Sequence, residues 1–439
     1  MLTNYPELAP YLTYLIYLIP LVGFFIIYSW RHHKHSTTSH RQQQQSAAAG
    51  LTEPASLHPV IDPARCLGSG ACVSACPEGN VIGMIKRKGQ LINPSNCIGH
   101  GACKAACPHD AITLVFGSAR RGVDIPNVKP NFETNVPGLF IAGELGGMGL
   151  IRNAIEQGRQ AMDSIRKYKK GKAPLDVVII GAGPSGLSAT LGARQYKLKC
   201  KTIEQEELGG TVAHFPRGKL VMTQPATLPL IGKVKFRETT KEKLLEFWRS
   251  VEDKTGIEIN YGERMETITQ TKSGFLVKTS KGEYNTRTVL LAIGRRGTPR
   301  KLGVPGEENT KVVYRLVDPE QYRGQHVLVV GGGDAALEAA TSISEEPDTT
   351  VTISYRSESF SRAKPGNRDK VAHAAESGKL NVLMKSNVKE VTTDKVIIEQ
   401  EGKTHTLAND GIIVCAGGIL PIGFLKELGI EIDTKYGTA

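Results

Sequence analysis

One cysteine pattern, written twice, limits what this chain can fold into more than any other feature. Cys66, Cys72 and the pair Cys76-Pro77 form C-x5-C-x3-C-P, and 31 positions later Cys97, Cys103 and the pair Cys107-Pro108 repeat it. Six of the eight cysteines lie in these two copies. Gly68, Gly70 and Ala71 in the first copy, and Gly99, Gly101 and Ala102 in the second, let the backbone wrap an inorganic core and aim amides at its sulfurs. Zinc sites seldom use this spacing twice, and disulfides do not persist in a reducing cytosol. The pattern points to iron–sulfur binding.

The spacing resembles that of bacterial two-cluster ferredoxins, C-x2-C-x2-C-x3-C-P, with the second cysteine of each copy replaced by Ser69 and His100. The resemblance implies a small α+β domain over residues 59–116, in which the last cysteine of each run ligates the other cluster. One site then takes Cys66, Cys72 and Cys107, and the other Cys97, Cys103 and Cys76. Two 4Fe-4S clusters are expected, one or both of which the missing thiol could leave as 3Fe-4S. Alternatively, the Ser69 oxygen or the His100 imidazole holds the fourth iron, and imidazole would raise the potential of its cluster. Cys200 and Cys415 lie in apolar, strand-like runs and read as plain core residues.

At 439 residues the chain has room for two or three domains once its ends are set aside, and its 47 glycines suit nucleotide-binding turns. A net charge of +12 suits anionic lipid, an acidic redox partner or an ordinary basic surface. No basic patch interleaved with aromatics points to nucleic acid. Residues 8–30 are uncharged and mostly apolar, long enough at about 1.5 Å per residue to span a bilayer core. Tyr5, Tyr11, Tyr28 and Trp30 flank the run as interfacial anchors, and Arg31 and Lys34 follow while only Glu7 precedes. A basic leader region is missing, so a cleaved signal peptide is not expected. The expectation is a single-pass transmembrane helix in a bacterial inner membrane, with the large domains in the cytoplasm. Residues 31–58, with a serine- and glutamine-rich stretch at 36–49, read as a low-complexity tether.

The strand-like run Asp176–Ile180 enters Gly181, Gly183, Pro184, Ser185 and Gly186, and a helical stretch follows. Glycines permit a tight turn and close pyrophosphate approach, with a helix N-terminus facing the negative charge. Glu204 ends the next apolar run and suits ribose hydroxyls. A second unit starts at His326–Val330 and continues through Gly331, Gly333, Asp334, Ala335 and Ala336 into another helix. Its second strand, near Val351–Tyr355, ends without an acid. Arg356 and Arg362 are available instead for a 2′-phosphate, which favours NADP(H) over NAD(H).

With these two units the chain resembles the thioredoxin reductase-like flavoprotein reductases over roughly residues 117–439. Gly209, Gly210 and Thr211 resemble that family's flavin-contacting turn. The resemblance implies FAD, two Rossmann-like domains and frequent homodimers. It also shows an unusual order. The family ends on T-x-V-P-G-L-F-A-x-G-D, yet here Thr134, the Val136–Phe140 run, Gly143 and Glu144 stand before the first glycine motif. The chain stops where that segment would follow, so the FAD domain reads as circularly permuted. The expected α/β layout is a membrane helix at 8–30, a linker at 31–58 and a ferredoxin-type domain at 59–116. The displaced FAD segment takes 117–170, the FAD domain 171–300, the NAD(P) domain 301–408 and a return strand 409–439.

Disulfide-reducing members of that family carry a C-x2-C or C-x4-C pair beside the flavin, which the stretches Gly209–Phe215 and Pro305–Gly324 lack here. What remains is an NAD(P)H oxidoreductase that moves electrons between NADPH, FAD, iron–sulfur clusters and a redox protein or quinone. No side chain is assigned a catalytic acid–base role. Two alternatives stay open: a redox sensor or assembly adaptor without sustained turnover, and a low-molecular-weight disulfide reductase using His214 as proton donor. The latter resembles bacillithiol-disulfide reductase-type chains.

Overall fold

A computed structural model describes residues 9–437 except 55–56, 98, 100, 119–121, 148, 170, 223–224, 235–237 and 296. The chain divides after Phe116 into two compact units.

In the N-terminal unit, strands His58–Ile61 and Ile112–Val115 pair antiparallel, and Ile82–Ile85 forms a hairpin with Lys88–Leu91. The two cysteine copies build the same local structure. Gly70 and Gly101 take left-handed φ values of 73° and 75° and turn the chain into the short helices Ala71–Ala75 and Ala102–Ala105. Left-handed backbone is cheap only for glycine, so this turn explains why both copies keep one there. Cys72, Val81, Ile82, Cys97, Cys103 and Ile112 form the buried core.

A 40-residue helix, Ala9–Ala48, precedes these strands. The stretch read as a tether is therefore helical to Ala48, and its polar side chains have partners. Gln43 Nε2 donates to the Leu91 carbonyl (3.1 Å), Ser36 Oγ accepts from Lys86 N (3.2 Å), and Ser46 Oγ meets Asn93 Oδ1. Low-complexity composition hides this, because serines and glutamines that look solvent-directed instead satisfy the hairpin. The membrane span expected over residues 8–30 receives no support from the structure. Among the described residues, no helix is long and apolar enough to cross a membrane.

The second unit is built around two large sheets. In the first, parallel strands Ile259–Asn260, Cys200–Ile203, Leu175–Ile180 and Glu283–Leu291 lie side by side, and a meander Met265–Thr271 and Gly274–Thr279 extends the far edge. The second is five-stranded and all parallel, in the order Val312–Val313, Gly411–Val414, His326–Val330, Thr350–Tyr355, Leu380–Met384. Parallel strands are buried on both faces, which accounts for the nearly continuous apolar runs at 177–180 and 327–330.

The displaced segment belongs to the first sheet. Strand Leu139–Ile141 pairs parallel with the C-terminal half of Glu283–Leu291, and helix Ile151–Ile165 packs on helix Pro184–Gln195. The packing is tight: a Cβ added at Gly158 would sit 2.1 Å from the Ser185 carbonyl oxygen. Further out, Val123–Pro126 pairs antiparallel with Ile432–Lys435 near the chain's end, with Val123 opposite Lys435. A hairpin opened at its turn would leave this pairing and move the segment ahead of the first glycine motif. That pairing is one that a circular permutation of this unit would require.

Candidate functional site

In the N-terminal unit the cysteines of both copies gather around two hollows. Cys66, Cys72 and Cys107 line the first, with Ser69 and His109. Cys97, Cys103 and Cys76 line the second, with Glu78. Each hollow thus takes two thiols from one copy and the last thiol of the other. Backbone amides reach the sulfurs: Gly89 N donates to Cys66 Sγ (3.5 Å) and Ala111 N to Cys107 Sγ (3.4 Å). All six cysteines are free of disulfides. Burial pushes the Cys97 thiol up to about 11, with neighbouring thiolates and Glu78 adding to the effect against the Gly99 amide. Burial likewise raises Cys72 and Cys103. Crowded thiols that resist ionisation fit a cationic metal core, whose binding expels their protons. Among the described residues, no three His, Cys, Asp or Glu side chains converge on a single ion. His100 lies outside the described residues.

The second unit contains a cleft of about 1110 Å³ at the C-terminal ends of the parallel strands, where α/β sheets bind ligands. Gly181, Gly183, Pro184, Ser185, Glu204, Gly210 and Thr211 line it, together with Gly143 and Glu144 from the displaced segment. A Cβ on Gly186 would fall 1.8 Å from the Gly181 carbonyl oxygen, so the turn admits only glycine there. Ser185 Oγ is buried without a partner at the start of helix Pro184–Gln195. An orphaned hydroxyl at a helix N-terminus fits an anion such as a pyrophosphate. Glu204 is buried, and its carboxylate accepts from Ala182 N (2.7 Å) and Glu206 N (3.0 Å), which fixes it beneath the glycine turn.

Glu144 faces the half-buried Arg295, whose Nη2 donates to the Asp124 carbonyl (3.0 Å). Burial raises the Glu144 carboxyl above its ordinary value of 4.5, and Arg295 only partly opposes this. The neutral carboxyl is favoured in the fold, so its contribution to stability is present below pH 4.5 and lost as pH rises through the raised value. Glu144→Gln is expected to flatten the loss of stability as pH rises above 4.5 in flavin-free protein. Thermal melts across that range check it; an unchanged slope would contradict the burial argument. Arg295 itself escaped the sequence reading. The available signal was its position, just past the strand that returns at Leu291, where cleft loops lie.

The cleft also contains His214, with Nε2 2.5 Å from Glu206 Oε2 and Nδ1 against Arg315 Nη1. Cys200 and Cys415, the two cysteines of this unit, are partly buried, and burial raises the Cys200 thiol.

In the five-stranded sheet, Gly331 has φ 145°, and a Cβ there would lie 2.4 Å from the Cys415 carbonyl oxygen. Gly333 precedes helix Asp334–Ser344. Asp334 Oδ1 accepts from Lys364 N and Asn367 Nδ2, both at 2.7 Å, so this carboxylate braces the neighbouring loop. Ala335 is exposed, whereas Ala336 is fully buried beneath the turn. Arg356 and Arg362 are exposed beyond strand Thr350–Tyr355.

A family model described as pyridine nucleotide-disulphide oxidoreductase matches residues 178–438, and a 4Fe-4S dicluster domain matches residues 58–108. The chain is 28% identical over 264 residues to a ferredoxin–NADP reductase of Ignicoccus hospitalis, covering 59% of this chain and 83% of that one. It is 27% identical over 267 residues to bacilliredoxin reductase Bdr of Bacillus subtilis, covering 59% and 82%. The solved bacillithiol disulfide reductase Bdr of Staphylococcus aureus is 26% identical, with a TM-score of 0.53 over 58% of this chain and 80% of that one.

Proposed function

The chain belongs to the pyridine nucleotide-disulphide oxidoreductase family, and from that premise we propose that it exchanges electrons between NADPH and two iron–sulfur sites of its own N-terminal unit, and through them with a redox protein or quinone. The enzyme is an FAD-dependent NAD(P)H oxidoreductase carrying a 4Fe-4S domain. One observation carries the finer reading: among the described residues no cysteine lines the flavin cleft, while six thiols line two hollows in the same chain.

A bound flavin would supply the conversion of a two-electron hydride into single electrons. The residues around it bind and orient. Ser185 and the N-terminus of its helix hold the pyrophosphate, Glu204 the ribose, and Gly143 with Glu144 the ribityl side. The six cysteines hold two clusters, and Ser69 and His100 stand in the sequence where the fourth thiol of each copy would be, with a three-iron form as the alternative.

Arg356 and Arg362 hold the 2′-phosphate of NADPH. Charge-assisted hydrogen bonds contribute about 1.5–3 kcal/mol, so Arg356→Ala should weaken NADPH roughly 10- to 100-fold. NADH should be nearly unaffected. Equal losses for both nucleotides in steady-state kinetics would contradict the assignment.

Membrane attachment through the N-terminal helix is part of the proposal. Leu18, Ile19, Leu21, Phe24, Phe25 and Ile26 are exposed on it, and the basic Arg31 and Lys34 follow. The full chain should sediment with bacterial inner membranes, and a chain lacking residues 1–31 should not. Equal partition of both forms would remove this part.

A second reading, a low-molecular-weight disulfide reductase, draws on His214 with Glu206 in the cleft and on the likeness to Bdr proteins. Anaerobic turnover separates the two. The proposal expects NADPH-driven reduction of a one-electron acceptor that is lost on deleting residues 59–116. Disulfide turnover that survives this deletion would favour the second.

A further inference from the structure

The hairpin of Ile82–Ile85 and Lys88–Leu91 turns on two residues poorly suited to the task. Ile85 lies opposite Lys88, so Lys86 and Arg87 alone make the turn, with left-handed φ values of 48° and 62°. A two-residue hairpin turn with both φ positive favours Asn-Gly, because a Cβ makes left-handed backbone costly. Strain of this kind persists only where neighbouring structure over-determines it.

Here the turn is held from both sides. On its outer side the N-terminal helix is fastened along the hairpin. Lys86 N donates to Ser36 Oγ (3.2 Å), and Gln43 Nε2 donates to the Leu91 carbonyl (3.1 Å). Between them Ser39 packs so closely that a Cβ on Gly83 would fall 2.6 Å from its Oγ. Ser36, Ser39 and Gln43 recur at i, i+3 and i+7, which is one face of the helix. On its inner side the turn meets the loop between Cys66 and Cys72: a Cβ on Gly68 would lie 2.4 Å from the Arg87 carbonyl oxygen. The next two residues reach the thiol residues themselves. Lys88 Nζ donates to the Cys66 carbonyl (2.7 Å) and Gly89 N to Cys66 Sγ (3.5 Å), while a Cβ on Gly89 would lie 3.5 Å from Cys72 Sγ.

We infer that the N-terminal helix positions the site of Cys66, Cys72 and Cys107: Ser36 holds the Lys86–Arg87 turn left-handed, and the turn so held keeps the Gly89 amide on Cys66 Sγ. This rests on the proposal that these thiols hold a cluster, whose potential is set in part by hydrogen bonds to its sulfurs. Donation to a thiolate sulfur stabilises the reduced, more negative form, so loosening the turn lowers the potential of this site. Ser36 acts through the turn and is a positioning residue.

The test is an anaerobic redox titration of the full, iron-loaded chain, read by electron paramagnetic resonance together with iron content. The wave of this site is the one missing from Cys107→Ala protein. Ser36→Ala should lower that wave by about threefold in its reduction constant, the size of one hydrogen bond, and leave the other wave in place. Lys86→Asn combined with Arg87→Gly gives the turn residues that adopt it unaided. In that background Ser36→Ala should move neither wave, an outcome that a merely structural role for the serine does not produce. Loss of iron from this site alone in Ser36→Ala protein, reversed by the new turn, would equally support the inference. It is overturned if Ser36→Ala moves neither wave while iron content holds, if it shifts or empties the other site, or if its effect is the same with either turn. Wild-type protein that binds no iron would overturn the iron–sulfur reading instead.

Discussion

Replacing Cys107 with alanine should empty the site of Cys66 and Cys72 and leave the site of Cys97 and Cys103 holding its iron. Sequence proximity alone says the opposite, because Cys107 lies four residues from Cys103 and far from Cys66. The side chains decide otherwise: Cys107 lines the first hollow, and Cys76 lines the second. Each hollow already lacks a fourth thiol, so loss of another leaves two thiolates, too few to retain a cluster that normally takes four. Cys107→Ala and Cys66→Ala should therefore leave the same residual spectrum, with about half the iron and sulfide. Cys76→Ala should pair with Cys97→Ala. Iron analysis with electron paramagnetic resonance reads this directly. A Cys107→Ala protein that keeps the Cys66 site and loses the Cys97 site would reverse the grouping.

Deleting residues 117–170 should abolish FAD binding, and placing that segment after residue 437 should restore it. The segment gives the cleft Gly143 and Glu144, and it gives the core Phe140, Ile141, Met162 and Ile165, each at most 1% exposed. Truncating one such side chain costs about 2–5 kcal/mol, so losing four costs about 8–20 kcal/mol, as much as the roughly 5–15 kcal/mol that holds a domain together. The deleted chain is thus expected to be unstable as well as colourless. The relocated segment is the informative arm. Val123 lies opposite Lys435, so joining the chain there closes a hairpin without moving a strand. Flavin absorbance in the deleted chain, or its absence in a well-folded relocated one, would contradict the permutation.

Much of this was legible in the residues. The grouping of Cys107 with Cys66 and Cys72 follows from a repeat whose meaning is chemical. Both glycine turns announce themselves, because only glycine fits at Gly186 and Gly331. The displaced segment could be read from Thr134 to Glu144, since a motif out of order is still a motif. Other features depend on what faces what, which periodicity does not encode. Ser36, Gln43 and Ser46 look like a solvated tether until the hairpin they bond is present. Asp334 stands where a nucleotide contact is expected, yet it spends its carboxylate on Lys364 and Asn367. Glu78 and His109 gain significance only once each is seen to face a hollow. Arg295 becomes notable because folding brings Glu144, from the far side of the glycine motif, within reach of its charge.

The most direct measurement is an anaerobic titration of the iron-loaded chain with NADPH, following flavin absorbance and the paramagnetic signals of the iron sites together. Flavin bleaching accompanied by one-electron reduction of two distinct iron sites is the predicted result. Flavin that is fully reduced while the iron sites stay oxidised would contradict it.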